Sequence, residues 1–114
     1  MPQYYLTDYF LKQMKPFSKK FRKLPQDIVS TLSNFLPEQA QALGQKVYKL
    51  RLNASDLPKG KNKSFRLIIY LWHDPEMVVP ITIYFKSDIQ NLSRGEIKYH
   101  SKQVLRELQI KNII

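Results

Sequence analysis

The sequence predicts an α+β fold: an N-terminal helical hairpin packed on one face of a small antiparallel sheet of three to four strands, with a C-terminal helix. Two periodicities predict it. Apolar residues recur every three or four positions before residue 37, and they alternate with polar residues in three later segments. A capping box at Ser93 and Glu96 then opens the last helix. With 114 residues, the chain fits one domain, residues 1–114.

The predicted hairpin begins with a helix that is apolar on one side and basic on the other. Its apolar stripe comprises Phe10, Met14, Phe17, Phe21 and Leu24. Pro16 removes a backbone donor inside this segment and predicts a kink or a split. Pro25 opens a second helix, with Asp27 in its first turn, and Pro37 ends it. The cations between residues 12 and 23 are typical of a solvated helix face.

Three segments, at residues 47–53, 65–72 and 78–85, show the period of two that indicates strands. Their short links favour an antiparallel meander. Tyr4–Leu6 is a candidate edge strand, and residues 37–45 are predicted to be a polar connector. The last helix draws its apolar face from Ile97, Val104, Leu105 and Leu108. We expect the helices to cover one face of this sheet.

Strand parity separates an aliphatic face from a basic one. If Tyr48, Leu50 and Leu52 face the helices, their neighbours in sequence point the other way. The same alternation adds to the aliphatic face Leu67, Ile69, Leu71, Ile81, Ile83 and Phe85. The opposite face then carries Lys49, Arg51, Arg66, Tyr70, Tyr84 and Lys86.

The composition narrows the range of possible functions. Nineteen Lys and Arg against nine Asp and Glu give a net charge of +10, which argues for a polyanionic partner. The absence of cysteine excludes a disulfide scaffold, a thiol nucleophile and cysteine-ligated metal sites. Neither His73 nor His100 stands in a catalytic pattern, and His100 is expected at the boundary of the last helix. No phosphate-binding loop or dinucleotide fingerprint occurs, so no cofactor or metal is predicted.

A basic sheet face with two phenols suits a nucleic-acid backbone. Cations neutralise phosphates, and the rings of Tyr70 and Tyr84 are candidates for stacking on bases. The turn after the first predicted strand adds Lys59, Lys61 and Lys63 as candidate RNA-binding residues. The alternative is that these cations only keep the sheet soluble and its edges unpaired.

We expect a cytoplasmic protein without a membrane partner. The longest apolar stretches, residues 67–72 and 77–85, are well short of the roughly 20 residues that cross a bilayer. The first six residues lack the charged segment and apolar run of a signal peptide.

Several sequence segments between Tyr4 and Leu108 form a recognisable combination of motifs. They are Thr7 with Phe10, Lys19-Lys20-Phe21, Val47-Tyr48-Lys49-Leu50-Arg51-Leu52, Lys59-Gly60-Lys61, Phe65-Arg66-Leu67-Ile68-Ile69-Tyr70 and Ile81-Thr82-Ile83-Tyr84-Phe85-Lys86-Ser87-Asp88. In combination they resemble the RelE/HigB-like toxins of bacterial type II toxin–antitoxin modules, in the RelE/ParE superfamily.

This resemblance implies a microbial-ribonuclease-like RelE fold and a ribosome-dependent mRNA endonuclease, or mRNA interferase, that inhibits translation. The implied reaction is metal-independent attack of a ribose 2′-OH on the adjacent phosphate. Implied partners are mRNA on the ribosome, ribosomal RNA and an acidic cognate antitoxin. By position, the catalytic residues it implies are Lys49, Arg51, Arg66 and Lys86, the four cations that strand parity selects.

The chain departs from the family pattern at three places. Asn62-Lys63-Ser64 stands where the family commonly has a glycine pair. The C-terminal active-site tyrosine of RelE has no equivalent, because Leu92 falls near that position. No histidine ends the third strand, as one does in some relatives. The general base therefore stays open. Two alternative functions also stay open: a ParE-like inhibitor of DNA gyrase, and a non-catalytic relative that binds RNA or an antitoxin. The basic face favours RNA.

Overall fold

A computed structural model describes residues 3–56, 64–73, 76–89 and 91–114. Its α-helices are α1 (Asp8–Lys20), α2 (Leu24–Ser33) and α3 (Arg94–Ile110). Its strands are β1 (Gln3–Tyr4), β2 (Gln41–Gly44), β3 (Val47–Leu52), β4 (Phe65–His73) and β5 (Glu76–Phe85). The predicted α+β class, with its N-terminal hairpin and C-terminal helix, is confirmed. In these residues, no helix is both long and apolar enough to cross a membrane.

Local signals set the helix ends. The side chain of Thr7 caps α1 by accepting from the backbone N–H of Phe10 at 3.0 Å. The capping box at the start of α3 is present. Of the kink or split predicted at Pro16, the split is wrong, because α1 continues through this residue. Pro16 and Lys12, whose carbonyl loses its donor there, are both exposed, so water can satisfy that carbonyl.

Five strands, in the order β1-β5-β4-β3-β2, form the sheet within the described residues. The antiparallel meander of β3, β4 and β5 is confirmed. β1 lies parallel to β5, with Gln3 beside Met77. β2 occupies the segment predicted to be a polar connector and pairs with β3. Since every residue of β2 is exposed, its sequence carries no alternation that would reveal a strand.

The helices cover both faces of the sheet rather than one. On the first face, Phe10 and Leu32 of the hairpin pack in one core cluster with strand residues such as Leu67. On the other face, Val104 and Leu108 of α3 pack in a second cluster. Their strand partners there include Ile68, Val79 and Ile81. The expectation of helices on one face is therefore wrong, because the nominally basic face also carries apolar strand residues that need cover.

A bulge in β5 explains why Ile81 lies on the unexpected face. Ile68 pairs with Thr82 but Ile69 pairs with Pro80, which leaves Ile81 as the extra residue. Proline has no N–H to give to a ladder, so a bulge is where it is tolerated. The assignment of Ile81 to the aliphatic face is wrong, since one inserted residue inverts the parity before it.

Candidate nucleic-acid interface

The strand register sets three predicted site residues in one row across the sheet. Arg51 lies directly opposite Arg66, and Arg66 lies directly opposite Tyr84. Residues opposite each other in an antiparallel pair share a face, and like charges in that position reduce stability. Two arginines therefore lie opposite each other on this face of the sheet.

Lys49 lies half-buried in the next row, opposite Ile68. Its Nζ donates to Oδ1 of Asn91 at 3.2 Å. Burial lowers the pKa of Lys49, and the positive charges of Lys86 and Arg66 lower it further. Lys86 and Arg66 are thus close enough to act on Lys49, and we call Lys49, Arg66 and Lys86 the cation cluster.

Ser64 holds two members of the cation cluster in place. Its buried hydroxyl accepts a hydrogen bond from Nη1 of Arg66 at 2.5 Å. Its carbonyl accepts one from the backbone N–H of Lys86 at 2.9 Å. Ser64 belongs to the segment in which the chain departs from the RelE/HigB pattern, but sequence reasoning did not assign it a role. No local pattern marks its contact with Lys86, since that bond depends on how β4 begins beside the end of β5.

The two candidate stacking tyrosines differ in exposure. Tyr84 is only 3% exposed, so the prediction that its ring stacks on a base conflicts with its burial. That burial raises the pKa of Tyr84, and the positive charge of Arg66 opposes the shift. Tyr70 is half-buried, with its ring centre 5.7 Å from that of Trp72.

A groove of about 820 Å³ runs between the sheet and α3. Among the predicted site residues, Lys49, Tyr70 and Tyr84 line it. Arg94 and Lys98 of α3 line the same groove, and sequence reasoning missed both. Their helical spacing is visible in the sequence, but only the packing of α3 on the basic face brings them to the groove.

Other predicted residues lie elsewhere. Lys59, Lys61 and Lys63 fall outside the described residues. The cations of the hairpin are exposed, as predicted for a solvated face: Lys12, Lys15, Lys19, Lys20, Arg22 and Lys23. His100 is the boundary residue that was predicted, with Nδ1 2.7 Å from the hydroxyl of Tyr9. In the described part of the chain, no three His, Asp or Glu residues gather as a metal site would require.

Comparison with known proteins identifies the architecture. No family model and no curated protein matches the chain. Among solved structures, the E. coli toxin RelE, in the free state and with two arginines replaced by alanine, is similar with a TM-score of 0.52 and 15% sequence identity. The match covers 78% of this chain and 87% of that chain. The fold is RelE-like.

At this level of identity the likeness concerns the fold, and the chemistry of a RelE-like chain must be argued from its own site. Here the site offers two guanidinium groups and two ammonium groups on one side of the sheet. A guanidinium binds a phosphate through two parallel hydrogen bonds. A lysine side chain serves as a compact charge when it is protonated and as a base when it is neutral.

Proposed function

We propose that the protein is the toxin of a type II toxin–antitoxin module and cleaves mRNA on the ribosome. The observation that carries this proposal is the cation cluster beside Arg51: Arg51 lies opposite Arg66 in the sheet, and Lys49 lies in the next row. Burial and the charges of Lys86 and Arg66 lower the pKa of Lys49 there. A RelE-like fold supports it further, since the similar solved structure is described as a toxin. Enzymes use such crowding to adjust the pKa of a group that transfers protons.

The proposed reaction is intramolecular. A base removes the proton of a ribose 2′-OH, the 2′-oxygen bonds to the adjacent phosphorus, and the bond from phosphorus to the 5′-oxygen breaks. The 5′-oxygen takes up a proton, so the products are a 2′,3′-cyclic phosphate and a 5′-OH end. This reaction consumes no water, and its proton transfers and charge stabilisation can come from side chains.

Each cation has a role that fits its position. Lys49 acts as the base, because burial and its neighbours favour its neutral form. Arg66 stabilises the charge that develops on the phosphorane, since Ser64 orients its guanidinium. Arg51, opposite Arg66 in the sheet, holds the phosphate. Lys86 stabilises the departing 5′-oxygen.

The partners follow from the same proposal. A chain with a net charge of +10 is suited to mRNA and ribosomal RNA, and to an acidic antitoxin that neutralises it. Its place of action is the cytoplasm, where ribosomes translate. Lys59, Lys61 and Lys63 remain proposed RNA contacts on the strength of the sequence.

The test is induction of the chain in bacteria beside an Arg66→Ala variant, with mapping of mRNA 5′ ends after a short interval. We expect new 5′-OH ends inside translated reading frames, absent with Arg66→Ala. An Arg22→Ala control, which removes an exposed arginine of the hairpin, retains them. Growth arrest without new ends would overturn the nuclease proposal and favour another target such as gyrase. The absence of both growth arrest and new ends would favour a non-catalytic relative.

A further inference from the structure

We infer that the groove between the sheet and α3 binds the single-stranded RNA that flanks the cleaved phosphate, with Arg94 and Lys98 holding its backbone. This inference rests on the proposed function and extends it, because it gives the substrate a path away from the cation cluster. It also assigns a binding role to two residues of α3 that neither the strand pattern nor the resemblance selected.

The first support is charge. Three cations line the groove, Lys49, Arg94 and Lys98, and no acidic residue does so in the described part of the chain. Arg94 and Lys98 are exposed, and neither forms an ion pair with a described residue. Cations four positions apart on a helix repel each other. An anion bound in the groove would relieve that repulsion.

The second support is continuity with the cation cluster. Lys49 is both a member of that cluster and a lining residue of the groove. An RNA strand whose phosphate lies at Lys49 therefore meets the groove next. Asn91, which accepts the hydrogen bond of Lys49, also lines the groove and stands three positions before Arg94.

The third support is the mixed character of the lining. Single-stranded RNA offers apolar base faces on one side and phosphates on the other. The groove presents the half-buried Tyr70 with apolar neighbours such as Val47 and Ile97, and its cations stand beside them. Bases can lie on the ring and the aliphatic side chains while the phosphates reach Arg94 and Lys98. An acidic peptide would use the cations but has no comparable need for the ring.

The experiment measures binding of a short fluorescent single-stranded RNA whose riboses are 2′-O-methylated, so that it cannot be cleaved. An Arg94→Ala/Lys98→Ala variant is compared with an Arg22→Ala/Lys102→Ala control. The control removes the same charges from exposed positions, one of them also on α3, and neither lines the groove. Thermal unfolding of both variants checks that the fold is retained.

Loss of two phosphate contacts should weaken binding roughly 10- to 30-fold at about 0.1 M salt and flatten the dependence of log K on log salt by about 1.4. The control variant should change neither the RNA affinity nor its salt dependence by a comparable amount. Equal losses in the two double variants would overturn the inference, because they would indicate unspecific attraction to a basic protein.

A second readout locates the RNA. The same oligonucleotide carrying 4-thiouridine should crosslink to lining residues of the groove, Tyr70 above all. Crosslinks confined to the lysines of α1 would overturn the inference. So would an Arg94→Ala/Lys98→Ala variant that keeps its RNA affinity but loses affinity for a polyglutamate peptide, which would identify a peptide site instead.

These outcomes separate the inference from the proposed function. RNA bound in the groove without cleavage on ribosomes would refute the nuclease and leave the groove assignment intact. Cleavage that proceeds while both double variants bind RNA equally would refute the groove assignment and leave the nuclease intact.

Discussion

The hydroxyl of Ser64 accepts a hydrogen bond from Nη1 of Arg66 at 2.5 Å, and the carbonyl of Phe65 lies 3.4 Å from the same nitrogen. Ser64 is fully buried, so water does not compete for this contact. The guanidinium of a proposed transition-state residue is thereby oriented before RNA arrives. Such preorganisation is where enzymes gain most of their electrostatic catalysis.

Replacing Ser64 with alanine should lower the rate of cleavage more than the affinity for RNA. The change removes an acceptor, leaves the charge of Arg66 intact and fits the same space. A hydrogen bond to a charged group contributes about 1.5–3 kcal/mol, so we expect kcat to fall roughly 10-fold or more with KM within about twofold. The assay is cleavage of a defined mRNA on purified ribosomes.

The matched control for this prediction is Ser18→Ala in α1, because the hydroxyl of Ser18 donates a local hydrogen bond to the carbonyl of Lys15 at 3.0 Å. It should cleave at the wild-type rate. A Ser64→Ala variant with unchanged kcat, or one in which KM alone rises, would contradict a positioning role for Ser64.

Arg66→Lys should separate geometry from charge. Lysine keeps the positive charge but lacks the planar fork that binds a phosphate through two hydrogen bonds. We expect RNA affinity and its salt dependence to stay close to wild type while kcat falls about 10-fold or more. Both quantities can be measured on one preparation. Full activity of the lysine variant would show that charge alone suffices at this position.

The pH dependence of cleavage should depend on Lys86. If Lys49 is the base, cleavage rises with pH as Lys49 loses its proton, and the midpoint of this rise lies below the ordinary lysine pKa of 10.5 because burial and the neighbouring cations lower the pKa of Lys49. Lys86→Gln removes one of those cations, so the pKa of Lys49 should rise and the profile should shift to higher pH.

The measurement is the rate of cleavage at saturating protein over a range of pH, with Lys102→Ala as a control of equal charge change on an exposed site. A profile that does not move with Lys86→Gln, or moves equally in the control, would argue against Lys49 as the base. The shift is the informative quantity, since Lys86→Gln also lowers the overall rate in the proposed mechanism.

Glu107 should stabilise the fold by fastening α3 to α1. Its carboxylate accepts from the backbone N–H groups of Asp8 and Tyr9 at 2.7 and 3.0 Å, and from Nζ of Lys111 at 3.0 Å. Burial acts to raise the pKa of Glu107, but these hydrogen bonds outweigh it and lower the pKa. We expect Glu107→Gln to reduce the free energy of unfolding by about 1–3 kcal/mol near pH 7.

The sign of the pH effect follows from the lowered pKa. The ionised carboxylate adds its full stability above the unfolded pKa of about 4.5, and this stability is lost as pH falls through the folded pKa. The free energies of unfolding of the wild type and of Glu107→Gln, measured in urea, should therefore converge as pH falls. The control Glu38→Gln, at an exposed position, should have the wild-type free energy of unfolding at pH 7. A constant difference at every pH would refute this account.

Local patterns in the sequence were sufficient for much of the fold and part of the site. The helical hairpin, the capping box of α3 and the antiparallel meander all depend on spacings within about 20 residues. The shared face of Lys49, Arg51 and Arg66 follows from strand parity, which holds wherever a strand has no irregularity. These features needed no knowledge of which elements meet.

The tertiary structure decided the features that depend on contacts between distant residues. The bulge at Ile81 inverted a parity, and the exposed β2 joined the sheet without any periodic signal. Packing of α3 on the basic face buried Tyr84 and brought Arg94 and Lys98 to the groove that Lys49 also lines. Spacing along the chain predicts which residues share a face of one element, but only the packing of elements against each other determines which faces form a site.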